Sequence, residues 1–162
     1  MEQILQAFIT LFVIMDPLGN IPLFMGMTKG MPLKDIRINF NRSVLVAGLL
    51  LFAFLFFGHN VLNIFNINID SFRIAGGIVL LIIGVIYVLG LSHKILKTQG
   101  SNLVVPIGTP LLTGPGVITT TILLAKEYGV QKASIAAGLT LILTWIILMN
   151  AVKLYKMLGE HW

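Results

Sequence analysis

Asp16 is the only carboxylate in the interior of any long apolar stretch of this chain, and a proline follows it directly. An ionised carboxylate deep in hydrocarbon costs somewhere between about 2.5 and 17 kcal/mol, so such a residue faces a cavity or a partner. There it can take up a proton, hold a sodium ion or pair with a substrate ammonium group. Its segment reads Asp16-Pro17-Leu18-Gly19-Asn20-Ile21-Pro22. A second segment, Thr109-Pro110-Leu111-Leu112-Thr113-Gly114-Pro115-Gly116, repeats the proline pair at the same five-residue spacing. Proline removes a backbone donor and clashes with the preceding turn, so a helix cannot run smoothly through either site. In lipid, a break survives only where protein or a water-filled cavity satisfies the freed backbone groups. Paired breaks in corresponding positions of two half-sequences point to a transporter's binding site.

Each residue of the two motifs has a definable part. Asp16 before Pro17 suits an N-cap with proline at the first helical position, which predicts that the second half of a broken helix starts there. Capping and a role at a cavity are compatible. Gly19 permits close backbone approach, and Asn20 brings an amide that both donates and accepts. In the second motif Thr109 and Thr113 flank Pro110, and Gly114-Pro115-Gly116 predicts a turn or unwound stretch. Amides exposed at a half-helix N-terminus suit a carboxylate, whereas unwound carbonyls and threonine hydroxyls suit an ammonium group or a cation. Thr119, Thr120 and Thr121 follow, and threonines in helices commonly bond back to the preceding turn. The expected substrate-binding set is therefore Asp16, Gly19, Asn20, Thr109, Thr113, Gly114 and Gly116. Pro17, Pro22, Pro110 and Pro115 are the expected helix breakers, and Asp16 is the candidate for sodium or proton coupling. His59, His93 and His161 lack metal-ligand spacing, so no metal is expected.

The elements that position these residues must be membrane helices. Of 162 residues, 57% are hydrophobic and 10% charged, with mean hydropathy +0.96, against about 25% charge in a soluble domain. Zero cysteines exclude disulfides and thiolate chemistry. The net charge of +5 is explained by basic cytoplasmic loops rather than by nucleic acid, since no basic cluster is interleaved with aromatics. Met1-Glu2-Gln3 lacks the basic region of a secretory leader, so the first apolar stretch is expected to be retained. Apolar windows with few or no charges predict five spans, at about 4–28, 43–63, 72–91, 104–125 and 134–154. Gly58-His59-Asn60 is expected to interrupt the second. Ala75-Gly76-Gly77 opens the third with residues small enough for close helix contact, and Gly26-x-x-x-Gly30 has the spacing of a helix-dimer face, hence of a homo-oligomer. With five crossings, one side carries Lys29, Lys34, Arg37, Arg42, Lys94, Lys97, Lys153 and Lys156, and the other only Arg73, Lys126 and Lys132. The richer side is expected to be cytoplasmic and the N-terminus outside.

A shift of 93 residues lays the first motif on the second and the second span on the fifth. The repeating unit then holds three spans. An odd number inverts the second copy, which gives two antiparallel halves around a central site. The expected fold is thus an all-α polytopic membrane protein, an inverted repeat of two three-helix units with discontinuous first and fourth helices. Its first unit covers 1–95 and its second 96–162. The partner of the third span would begin near residue 165, past Trp162, so the sixth helix is expected to be missing from this chain.

Three segments carry a resemblance: Met15 to Phe24, Phe72-Arg73-Ile74-Ala75-Gly76-Gly77-Ile78, and Val105-Pro106-Ile107-Gly108-Thr109 onward through Gly116. In this order they resemble the MarC family of prokaryotic inner-membrane proteins, over essentially the whole chain. The resemblance implies six spans. It also implies transport of small neutral amino acids such as glycine and alanine, as described for some archaeal members. Together the readings lead to an ion- or proton-coupled transporter in the lipid bilayer of a prokaryotic cytoplasmic membrane. A passive channel and a non-transporting assembly or regulatory factor are the alternatives. An enzyme is not expected, because one intramembrane acid has no second histidine or lysine to work with.

Overall fold

The computed structural model describes residues 1–28, 30–89 and 112–153. These residues form helices and turns, without strands. The helices are α1 (Glu2–Met15), α2 (Ile21–Met27), α3 (Leu33–Ile64), α4 (Ile69–Val88), α5 (Pro115–Tyr128) and α6 (Val130–Met149).

The helices are apolar on their buried and their outer faces alike. In α3 the buried stripe runs Ile36, Phe40, Ser43, Ala47, Leu51, Leu55, Gly58 and Leu62, at steps of three and four. In α6 it runs Ala133, Ala136, Ala137, Thr140, Thr144 and Leu148. Large apolar residues also cover the outer faces, among them Leu45, Leu49 and Phe57 on α3 and Ile135, Leu139 and Ile142 on α6. Lipid tails are as apolar as leucine, so helices in a bilayer associate through small residues and hydroxyls rather than through hydrophobic burial. Among the described residues, α3 and α6 are each long and apolar enough to cross a membrane.

Glycines set the close contacts. A Cβ on Gly58 would stand 2.5 Å from Cγ1 of Ile122, and one on Gly76 would stand 2.6 Å from Oγ1 of Thr119. Gly76 therefore acts as expected of a small residue, letting α4 approach α5. Gly58 acts otherwise than expected. Gly58-His59-Asn60 does not interrupt the second span, because α3 continues through it to Ile64. Here glycine supplies room for Ile122 instead of a turn.

Other boundaries also move. The second span begins ten residues earlier than expected, at Leu33, so Lys34, Arg37 and Arg42 lie on helix rather than in a loop. The stripe from Ile36 through Phe40 to Ser43 keeps the helix packed after its charged face leaves the hydrocarbon. At 32 residues α3 is about 48 Å long, well beyond a hydrocarbon core of about 30 Å. Gly26 and Gly30 do not share a helix face, since α2 stops at Met27 and Gly30 is left-handed at φ 82°. The described part of the fourth span is α5, and Gly129 alone, at φ 86°, joins it to α6. Residues 104–111, the rest of that span, lie outside the described residues.

Candidate functional site

The first helix is interrupted at the first motif. α1 ends at Met15, and Asp16 adopts the left-handed conformation at φ 41°, ψ 58°. A residue before proline is held out of the right-handed helical region, and aspartate tolerates the left-handed one because its short side chain bonds locally. Its Oδ1 accepts the Gly19 N–H at 3.0 Å. Asp16 is thus the C-cap of the first half-helix, not the N-cap of the second. Asn20 stands at the N-cap of α2, and Pro22, not Pro17, lies in that helix's first turn. Proline is harmless there because the first-turn N–H groups have no partner within the helix. Pro17 is buried within the connecting turn.

Asn20 closes the break from the other side. Its Nδ2 donates to the Asp16 carbonyl at 2.9 Å and to the Met15 carbonyl at 3.3 Å. These are the carbonyls that the end of α1 frees, and in lipid they need partners. Gly19 has no alternative side chain available: the place of its Cβ is 2.8 Å from Cγ of Asp16, with a carboxylate oxygen closer still. The Asp16 carboxylate is exposed on the surface of the described residues, whereas Asn20 is buried.

The second motif is partly described. Thr109 and Pro110 lie outside the described residues. Thr113 is buried, and its hydroxyl donates to the Ala47 carbonyl of α3 at 3.0 Å. Gly114 is extended, at φ −75°, ψ 177°, and forms the N-cap of α5 without any side-chain capping bond. Pro115 opens the helix and Gly116 lies in its first turn, so the irregular stretch ends at Gly114 and does not include Gly116. Thr119 and Thr121 bond back to Pro115 and Val117, as threonines commonly do. Thr113 is the exception among these hydroxyls, reaching another helix.

The end of α1 and the start of α5 lie at one depth. Lys132 donates to Gln3 at one end of α1, and Thr144 donates to Met15 Sδ at the other, so α1 runs parallel to α6 in constant register. α3 runs antiparallel to α6, with Trp145 donating to Asn41 and Gly48 facing Leu141. By that register Ala47, and Thr113 on it, sits within about three residues of Thr144 along α6, or about 5 Å. The residues around the break after α1 and around the start of α5, Met15 and Ile21 with Leu112 and Val117, share one buried cluster. Their polarity differs. α1 brings its carbonyl end to this level and α5 its amide end, and both helices have 14 residues.

Residues 1–161 match the family description "MarC family integral membrane protein". The chain belongs to the MarC family. It is 32% identical over 166 residues to the inner membrane protein YhgN of Escherichia coli K12, covering 99% of this chain and 84% of that one. Identity to the membrane protein MJ1677 of Methanocaldococcus jannaschii is also 32%, over 172 residues, with the same coverage. The membrane protein YvbG of Bacillus subtilis is 32% identical over 137 residues, 77% of this chain and 64% of that one. No solved structure gives a significant match. The expected membrane location in a prokaryote therefore holds, in a family that spans bacteria and archaea. The names of these relatives state no substrate.

Within this MarC chain several site-bordering residues escape sequence reasoning. Ala47 and Thr144 carry no motif, yet they anchor the lead-in to α5 and the end of α1. The only signal for Thr144 is its spacing of four from Thr140 on a face that otherwise holds three alanines and Leu148. Among the described residues no group of three or more His, Asp or Glu side chains could hold a metal ion.

Proposed function

We propose that this protein is a secondary transporter of small neutral amino acids, glycine- or alanine-like, coupled to sodium or protons. In this reading the two breaks are the ends of discontinuous helices in two three-helix units of opposite orientation, with the N-terminus outside. The observation that carries it is the interruption of the first helix at an exposed carboxylate, level with the uncapped start of α5.

The chemistry of that level suits a zwitterion. A helix C-terminus carries a partial negative charge and an N-terminus a partial positive one, each about half an elementary charge. Asp16 adds a full negative charge beside the end of α1, which favours an ammonium group or a coupling cation. The Gly116 and Val117 amides at the start of α5 favour a carboxylate. Gly114 and Gly116 present backbone without side-chain bulk, which limits the substrate to a small one only if the opposite wall is equally close. Thr113 and Asn20 act in this scheme by holding the breaks in place, since both hydroxyl and amide already bond to backbone carbonyls. A carboxylate exposed at this depth needs water or protein around it rather than acyl chains, and a substrate cavity meets that need.

The test is uptake of labelled glycine and alanine into proteoliposomes of the purified protein, with sodium and proton gradients imposed separately. Accumulation above the external concentration that collapses with one of the gradients supports coupled transport. Equilibration without accumulation makes the protein a channel, and no flux above empty liposomes removes the transport reading.

A further inference from the structure

We propose that the groove between the start of α3 and the end of α6 binds the phosphate of an anionic phospholipid. The groove has a volume of about 240 Å³. Its rim carries Arg37, Lys153 and Asn150, and its floor is apolar, with Ile36, Phe40 and Leu148. Among the described residues that line it there is no carboxylate. Two permanent cations select an anion, and an apolar floor gives acyl chains a surface that a soluble anion would not use.

Depth argues for the lipid source. Trp145 Nε1 donates to Asn41 Oδ1 at 2.6 Å across α6 and α3, and tryptophan concentrates where hydrocarbon meets headgroups. Lys153 lies past the end of α6 at Met149, and Arg37 lies one turn beyond Asn41 on α3, so its cation stands about 6 Å farther out. That is the phosphate level of the leaflet. It is also the end of the bundle opposite Lys126 and Lys132, on the side rich in basic residues. Basic pockets between membrane helices on the cytoplasmic side are a recurrent form of anionic headgroup site. A second groove, at the other end of the bundle, is lined by His59, Asn60 and Lys126 and has a single permanent cation. It serves as the internal control.

The experiment is native mass spectrometry of the detergent-purified protein, titrated with phosphatidylglycerol or phosphatidylcholine of matched chains. Phosphatidylglycerol should bind more tightly than phosphatidylcholine. Arg37→Gln with Lys153→Gln should weaken it about thirtyfold, or about fivefold for each charge removed. Arg37→Lys should keep most of the affinity, and Lys126→Gln should leave it unchanged. Circular dichroism checks the fold of each variant, and if the double variant does not fold, the single variants decide at fivefold each. Equal binding of the two lipids overturns the proposal, as does undiminished binding by the glutamine variants. Displacement of the lipid by millimolar inorganic phosphate would also overturn it, marking a free-anion site.

Discussion

Asp16→Asn separates what the carboxylate does for the fold from what it does for transport. In the fold Asp16 has two tasks: to occupy a left-handed conformation and to accept the Gly19 N–H. Asparagine can do both, being among the residues that enter this region readily and carrying a carbonyl oxygen of the same reach. The charge-assisted bond becomes a neutral one, a loss of about 1 kcal/mol. For a chain of this size that lowers the melting temperature by about 2–4 °C. Asp16→Ala loses the whole bond, about 1.5–3 kcal/mol, and adds left-handed strain of about 1 kcal/mol. It should lower the melting temperature by about 5–16 °C. Transport should respond in another order. Both variants lack the acid, so both should lose coupled uptake although their stabilities differ. The assay pairs thermal unfolding in detergent with proteoliposome uptake. An Asn variant that inserts, melts near the wild type and still accumulates substrate at the wild-type rate refutes a coupling or ammonium-binding role for Asp16. An Asn variant no more stable than the Ala variant refutes the capping argument instead.

Three further outcomes follow from the packing. Gly58→Ala places a methyl group 2.5 Å from Ile122 Cγ1 and should cost about 1–3 kcal/mol, measured by thermal unfolding; adding Ile122→Ala, which removes the offending atoms, should restore part of the loss, and no restoration would mean that the glycine is needed for another reason. Thr113→Val removes the bond to Ala47 while leaving the helical donor of that carbonyl in place, so it should cost only about 0.5–1.5 kcal/mol in stability. Because it frees the lead-in to α5, it should lower uptake by more than that loss of stability explains; uptake unchanged from the wild type would show that Thr113 does not set the break. The cysteine-free chain permits topology mapping: Lys132→Cys in intact cells should react with a membrane-impermeant maleimide and Lys34→Cys should not, and the opposite pattern reverses the orientation.

The first helix break was readable because two prolines and a glycine crowd into seven residues of an otherwise apolar stretch. Which half-helix Asp16 belongs to was not readable. Asp-Pro serves equally to open a helix and to close one, and the choice rests on the dihedrals of one residue, which depend on whether its carboxylate turns forward or onto Gly19. The extent of α3 was hidden for a related reason. Lys34, Asp35, Arg37 and Arg42 look like a polar loop, but their neighbours Ile36, Phe40 and Ser43 continue the buried stripe beyond the hydrocarbon. Gly58 misled because glycine has two uses, as a turn residue and as an empty space, and only the position of Ile122 distinguishes them. Of the small residues at 75–77 only Gly76 packs as expected, Ala75 and Gly77 being exposed, and nothing local names Thr119 as its partner. The long-range bonds from Thr113 to Ala47 and from Thr144 to Met15 join residues more than sixty positions apart and leave no periodic trace.

The depth of the breaks is set by contacts rather than by the bilayer. A helix that crosses hydrocarbon fully is located by its length, because polar flanks stop at both interfaces. α1 and α5, at 14 residues and about 21 Å, are too short to cross it. The start of α1 and the end of α5 meet at the same face, where Tyr128 donates to Gln6 and Lys132 to Gln3. Starting together and running equal lengths, the two helices must stop together, one with its carbonyls and the other with its amides. Gly58 against Ile122 and Gly76 against Thr119 then hold α5 from two sides, and Thr113 pins its entrance to α3. Each contact is specific in position and weak in energy, about what single helix–helix hydrogen bonds and small-residue packing supply in lipid. Under the transport proposal a moving half-helix needs that combination, since alternating access requires one packed arrangement to give way to another at modest cost.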